Sequence, residues 1–336
     1  MARIVIIGGS GHVGTYLLPA LVERGHQVVN VSRGTASPYR HHAAWKAVEQ
    51  VVIDRRAEEA AGRFGAAIAA LNPEIVVDMI SFELEGMRQL VEALRGKIEH
   101  FLFCSSIWVY GPTTSVPSAE TEPTNAIDTY GINKARIEDW LLQQSRRDGF
   151  PATSFRPGHI VGEGWVPINP QAHTNPELFS SMARGEEIAL PNLGLEMLHH
   201  VHADDVAHWI ICAIENRTAS IGEVFNTVSS QALTLRGYAE AMYRWFEQEP
   251  RLSYAPFDQW KLRLTKADAQ TAWGHVMRSS CVSIEKSRQR LGYTPRFSSL
   301  EAIQQSVTAL IAAGRITVPG RGRRSESASS KKKNPA

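Results

Sequence analysis

The chain of 336 residues contains no run of eighteen apolar residues, so no segment reads as a membrane-spanning helix. Cysteine is scarce: Cys104, Cys212 and Cys281 stand apart in apolar or small-residue settings. That usage argues for reduced packing residues and against a disulfide framework or a thiolate metal site. An excess of either charge is also missing, with 36 basic against 34 acidic residues and a formal net charge of +2. A body so near neutrality has no general attraction for nucleic acid or an anionic membrane. Met1-Ala2-Arg3 leads into a strand rather than a signal peptide, which makes the cytoplasm the expected compartment. What is present, 43% hydrophobic and 21% charged residues, suits one large domain with a lobe, or two domains.

The N-terminus organises the rest. Ile4-Val5-Ile6-Ile7 reads as a strand buried on both faces, and Val13, Leu17, Leu18 and Leu21 follow at helical spacing. Between them, Gly8 permits a tight turn, Gly11 lets backbone N–H groups approach a pyrophosphate, and Gly14 lets the helix lie close on the sheet. The anion would sit at the positive end of that helix. Strand, glycine turn and helix in this order make Gly8, Ser10, Gly11, His12, Val13 and Gly14 a candidate dinucleotide cradle.

A second strand, Gln27 to Ser32, ends in Ser32-Arg33-Gly34. A carboxylate there would bind the adenosine 2′-hydroxyl, whereas an arginine accommodates a 2′-phosphate, so NADP is the preferred cofactor and NAD the alternative. A third strand, Val51 to Ile53, ends in Asp54-Arg55, within reach of an adenine; Asp54 equally suits a helix N-cap. Then come a helix over Glu58–Leu71, a strand over Glu74–Ile80, a helix over Met87–Leu94 and a strand over His100–Cys104. This alternation predicts an α/β fold with a doubly wound parallel sheet. Ligands gather beyond the carboxyl ends of such strands, which brings Gly8, Arg33, Asp54, Ile80, Ser81, Ser105 and Ser106 to one crevice.

Further on, a helix is expected over Ile137–Gln144 and a sixth strand over Ala152–Phe155, and Leu198–His202 is expected to return to the sheet. His199, His200 and His202 suggest a metal at first sight, but a strand turns 199 away from 200 and 202, so no metal is assigned. Residues 1–165, completed by 198–230, read as the dinucleotide domain, and 166–197 with 231–318 as a smaller substrate-binding lobe. The stretch 319–336, rich in Arg, Lys, Ser and Gly, reads as a disordered basic tail.

Several motifs then fall in a telling order: the three glycines, Ser105-Ser106-Ile107-Trp108-Val109-Tyr110-Gly111, Tyr130-x-x-x-Lys134, and Arg156-Pro157-Gly158. Val201-His202-Ala203-Asp204-Asp205 and Leu291-Gly292-Tyr293-x-Pro295 complete the set, which spans nearly the whole chain. Together they resemble the extended short-chain dehydrogenase/reductases of the NAD-dependent epimerase/dehydratase type. The resemblance implies a Rossmann-type domain and a catalytic trio of Ser106, Tyr130 and Lys134, with Lys134 also holding the nicotinamide ribose. It places Pro157 and His159 beside the nicotinamide, with His159 either a titrating group or a plain loop histidine. It also implies a homodimer built on two helices flanking the site.

The spacing suits the chemistry. Tyr130 and Lys134 are i and i+4, neighbours on one helix face, and an ammonium beside a phenol lowers its pKa from about 10. Tyr130 would then exchange the proton of a substrate hydroxyl, Ser106 fixing the same oxygen, while hydride moves to or from the nicotinamide. The activity implied is that of an NAD(P)-dependent oxidoreductase or epimerase acting on a sugar-like or nucleotide-sugar secondary alcohol or ketone. Sugar-nucleotide 4,6-dehydratases carry an Asp-Glu pair where this chain has Ile107-Trp108, which disfavours dehydration; Trp108 suggests an apolar or stacking wall. The 4-epimerases place a diphosphate-binding arginine where this chain has Leu198-His199-His200, leaving Arg184, Arg278 or Arg288 as substitutes. The alternative is a non-catalytic or RNA-binding member, as in chloroplast stem-loop RNA-binding proteins, whose second strand also ends in Arg-Gly; the neutral body argues against nucleic acid.

Overall fold

A computed structural model describes residues 1–319. All of the basic stretch 319–336 except Pro319 lies outside the described residues.

The first half interleaves strands and helices: β1 (Arg3–Ile7), α1 (Gly14–Glu23), β2 (Gln27–Ser32), β3 (Glu49–Val52), α2 (Arg55–Ala60), α3 (Phe64–Ala69), β4 (Ile75–Asp78), α4 (Leu84–Leu94) and β5 (His100–Cys104). A single 20-residue helix, α5 (Thr129–Asp148), leads to β6 (Ala152–Pro157) and β7 (His159–Val161). Then follow α6 (Glu177–Ala183), β8 (Ile188–Pro191), β9 (Met197–Leu198), β10 (His200–His202), α7 (Ala203–Glu215), α8 (Arg217–Ser220), β11 (Val224–Thr227) and β12 (Leu233–Thr234). The remainder is α9 (Leu235–Trp245), β13 (Leu252–Ala255), α10 (Phe257–Trp260), α11 (Lys266–Val276), α12 (Glu285–Leu291) and α13 (Ser299–Ala312).

Seven parallel strands form the central sheet in the order β11-β6-β5-β4-β1-β2-β3, with the direction of winding reversing between β1 and β4. Ile4 pairs with Val28 on one side and Ile75 on the other. The pleat of β1 sends Ile4 and Ile6 to the layer holding α1 and α7, and Val5 and Ile7 to the layer holding α3, α4 and α5. This is the expected Rossmann-type architecture. A further core gathers Phe179, Leu190, Tyr238, Met242, Trp260 and Val307 around α6, α9, α10 and α13. Among the described residues no helix is long and apolar enough to cross a membrane.

The structure corrects the sequence reading in four places. The helix expected over Glu58–Leu71 is two short ones, because Gly62 takes φ +67 and ends the first. The third strand stops at Val52, since Asp54 already caps α2 by accepting from the Arg56 and Ala57 amides. Ile137–Gln144 is the middle of α5. Leu198–His202 does not rejoin the central sheet: β9 pairs with β12 and β10 with β7, outside it.

Candidate active site

The glycine turn leaves β1 through Gly8 at φ +89, where only glycine is unstrained. No side chain caps α1, so its first-turn amides face the turn without a protein acceptor from a side chain. A Cβ on Gly14 would run into the Gly9 carbonyl, so the close approach is to the loop's own backbone rather than to the sheet. Around Gly11 the nearest obstacle is the Gly8 carbonyl at 3.5 Å. That open side faces a cavity of about 950 Å³ at the carboxyl ends of β1 to β4.

Of the predicted cofactor residues, Gly8, Ser10, Gly11, Ser32, Arg33, Asp54, Arg55 and Ile80 line this cavity. Arg55 does so from a rigid position: it binds Asp78 at 2.7 Å, Glu59 at 2.7 Å and the Ser81 hydroxyl at 3.0 Å. Ser81 is therefore a buried anchor for Arg55 rather than part of the lining. Ser105 is buried at the end of β5, and Pro157 ends β6 opposite Thr227. His12 and Val13 turn inward; His12 stacks on Trp165 at 4.6 Å and its Nε2 meets the Glu163 carbonyl at 3.1 Å. Burial, only partly opposed by the Glu163 and Gly162 carbonyls, lowers His12 to about 4.

His159 opens β7 opposite His200 and packs on His275 at 4.9 Å; it is not a loop histidine. Desolvation, with His275, His200, His199 and Arg278 nearby, holds it well below 6.5, so it is uncharged at neutral pH. His199 accepts from the Val282 amide, and His202 accepts from the Asp204 amide as the cap of α7.

The catalytic candidates meet at the carboxyl end of β5. Ser106 caps the short helical turn Ile107–Tyr110, its hydroxyl accepting from the Trp108 amide at 3.2 Å, and Trp108 packs edge-on against the Tyr130 ring at 6.1 Å. Asp128 caps α5 by accepting from the Gly131 amide at 2.7 Å, which sets Tyr130 in the first turn. Lys134, one turn on and 1% exposed, donates to the Cys104 carbonyl at 2.6 Å and lies between the Phe82 and Phe103 rings. Its ammonium is 5.8 Å from the Tyr130 ring centre. Burial lowers the Lys134 pKa.

The phenol does not show the expected depression. Although 42% of Tyr130 is exposed, crowding around it pushes the phenol up to about 12, with Cys104 and Asp128 adding and Ser106 opposing. Lys134 is turned toward the Cys104 carbonyl, which is why its charge does not offset the desolvation.

Phe82 connects the two halves. It lines the cavity and packs against Tyr130 at 6.2 Å. Neither Phe82 nor Tyr39, which also lines the cavity, was singled out in the sequence; Phe82 stands four residues beyond β4, where the carboxyl-end rule could have found it. Of the three substitute arginines, Arg184 pairs with Glu177 and Glu186 on the surface, and Arg288 is exposed. Arg278 is 2% exposed, stacks on Trp108 at 3.8 Å and binds Asp128 at 2.6 Å.

Residues 4–227 match the sequence profile of the NAD dependent epimerase/dehydratase family. The chain belongs to that family. It is 27% identical over 317 residues to the chloroplast stem-loop binding protein of 41 kDa b from Arabidopsis thaliana, covering 90% of this chain and 78% of that protein. It is 23% identical over 344 residues to the UDP-glucose 4-epimerase of Streptococcus mutans, covering 91% and 96%. Its fold matches the crystal structure of Thermotoga maritima UDP-glucose 4-epimerase with UDP-glucose at TM-score 0.70 and 22% identity, over 93% and 99% of the two chains.

Proposed function

We propose that the protein is an NAD(P)-dependent oxidoreductase or epimerase acting on a sugar-like or nucleotide-sugar secondary alcohol or ketone. The observation that carries this reading is the gathering of Ser106, Tyr130 and Lys134 at the carboxyl end of β5, with Tyr130 packed against Phe82, which lines the cavity that begins at Gly8 and Gly11.

The cavity suits a dinucleotide: its glycine turn admits close backbone approach, and α1 presents amides that no side chain caps. Gly8, Ser10 and Gly11 would hold the pyrophosphate, and Ser32, Arg33 and Asp54 the adenosine. Arg33 and Arg56 at the cavity wall, with no carboxylate at the end of β2, support NADP over NAD. When bound, the nicotinamide supplies or accepts hydride. Tyr130 exchanges the proton of the substrate oxygen, Ser106 fixes that oxygen, and Lys134 would serve the phenolate and the nicotinamide ribose on turning away from the Cys104 carbonyl. Ile107-Trp108 in place of an acid pair supports proton and hydride exchange without loss of water. The separate core around α6, α9 and α13 supports a substrate lobe of 166–197 and 231–318 against a dinucleotide domain of 1–165 and 198–230. We place the protein in the cytoplasm as a homodimer.

The test is turnover on a panel of nucleotide sugars and secondary alcohols after separate titrations with NADP and NAD. Tyr130→Phe should retain cofactor binding and lose roughly 100- to 10,000-fold in turnover. Turnover unchanged by Tyr130→Phe would refute the assignment, and tighter NAD than NADP would reverse the cofactor preference. The Arabidopsis relative motivates an RNA-binding reading; RNA affinity falling steeply with salt, with no turnover by the unmodified protein, would favour it.

A further inference from the structure

We propose that Arg278 is a positioning residue that neutralises Asp128 and so sets how readily Tyr130 ionises. This rests on the reading of Tyr130 as the acid/base group.

Asp128 uses its two oxygens for two tasks. Oδ1 accepts from the Gly131 amide at 2.7 Å and caps the helix that carries Tyr130. Oδ2 accepts from Arg278 Nη2 at 2.6 Å, across 150 positions of sequence. Arg278 is itself fixed: Nη1 donates to the Gly274 carbonyl at 2.5 Å and the guanidinium lies 3.8 Å from the centre of the Trp108 ring. The edge of Trp108 in turn meets Tyr130 at 6.1 Å. Nε of Arg278 is buried without a partner among the described residues. A cation held this way, 2% exposed, has little surface to offer an anionic ligand, and its charge is directed at Asp128.

The titratable groups around the phenol are Cys104 from β5, Lys134 one turn ahead and Asp128 two residues behind, with Arg278 and His275 against Trp108. Asp128 disfavours the phenolate. Without Arg278 its carboxylate would act undiminished, and the phenol would become harder to ionise.

Nitration of the full-length protein by tetranitromethane, which attacks phenolate, reads this directly at Tyr130 by peptide mass spectrometry and needs no substrate. Arg278→Met should slow nitration of Tyr130 by about 3- to 10-fold between about pH 7 and 9. Asp128→Asn should accelerate it, the double variant should return to about the rate of the unmodified protein, and Arg278→Lys should rescue most of the loss. A wild-type rate in Arg278→Met, or a double variant that stays slow, overturns the proposal. If Arg278→Met does not fold, Arg278→Gln takes its place: slower nitration of Tyr130 supports the proposal and an unchanged rate sinks it. Since nitration is independent of turnover, a Tyr130→Phe enzyme that remained active would refute the catalytic reading without altering this result.

Discussion

Lys134 donates a hydrogen bond from its ammonium to the carbonyl of Cys104, the last residue of β5, at 2.6 Å, with two phenylalanine rings within 5 Å of the charge. Holding a cation out of water without a counter-ion is costly, so an apolar side chain of similar volume relieves that cost. Lys134→Met is therefore expected to keep or raise the melting temperature while turnover falls by about 100-fold or more. Thermal denaturation beside the alcohol-panel assay checks both halves; a strong loss of stability would make Lys134 mainly structural.

Gly11 and Gly14 should separate binding from folding. A methyl at Gly11 meets nothing closer than 3.5 Å, so Gly11→Ala should leave stability unchanged and weaken the dinucleotide by obstructing its approach. A methyl at Gly14 collides with backbone that cannot yield cheaply, so Gly14→Ala should cost about 1–3 kcal/mol or more. Differential scanning fluorimetry with and without NADP distinguishes the two outcomes.

The pair Arg156–Glu138 is sealed between β6 and α5, with Arg156 Nε at 3.1 Å from both carboxylate oxygens and its guanidinium over the Tyr110 ring. Glu138→Gln leaves the guanidinium uncompensated and should cost about 3–5 kcal/mol, measured by urea denaturation. Changing both residues to apolar ones should recover most of that loss.

Acid should unfold the protein well above the carboxylate range. Burial holds His12, His199, His202 and His275 at about 4, and His100 and His200 at about 3. The unfolded chain takes up these protons from about pH 6.5 downward, so it binds more protons than the folded state and stability falls as pH drops through that window. Asp205, raised to about 6 by desolvation, pulls the other way, but it is one group against six. Melting temperatures recorded from pH 7.5 to 4.5 should fall steeply; a flat profile would mean these histidines are hydrated.

Most of the sheet was legible because a strand buried on both faces leaves an unbroken apolar run, as in Ile4–Ile7 and Phe101–Cys104. The trio of Ser106, Tyr130 and Lys134 was named from the resemblance its motifs carry, with the i, i+4 spacing of Tyr130 and Lys134 in support. What escaped were relationships between distant residues: β10 pairing with β7, Arg55 with Asp78, and Arg278 with Asp128. Two-residue and three-residue strands bury too little to impose a pattern, and an ion pair across the fold leaves no local trace. The tyrosine pKa failed for the same reason, since spacing puts Lys134 beside Tyr130 but only tertiary packing turns it toward Cys104.

The long helix α5 bears the phenol in its first turn and Glu138 two turns later, gripped by Arg156 of the sheet. A rod bolted to its neighbour at mid-length resists rolling about its axis. The aim of the Tyr130 hydroxyl is thus inherited from an ion pair sealed away from the cavity.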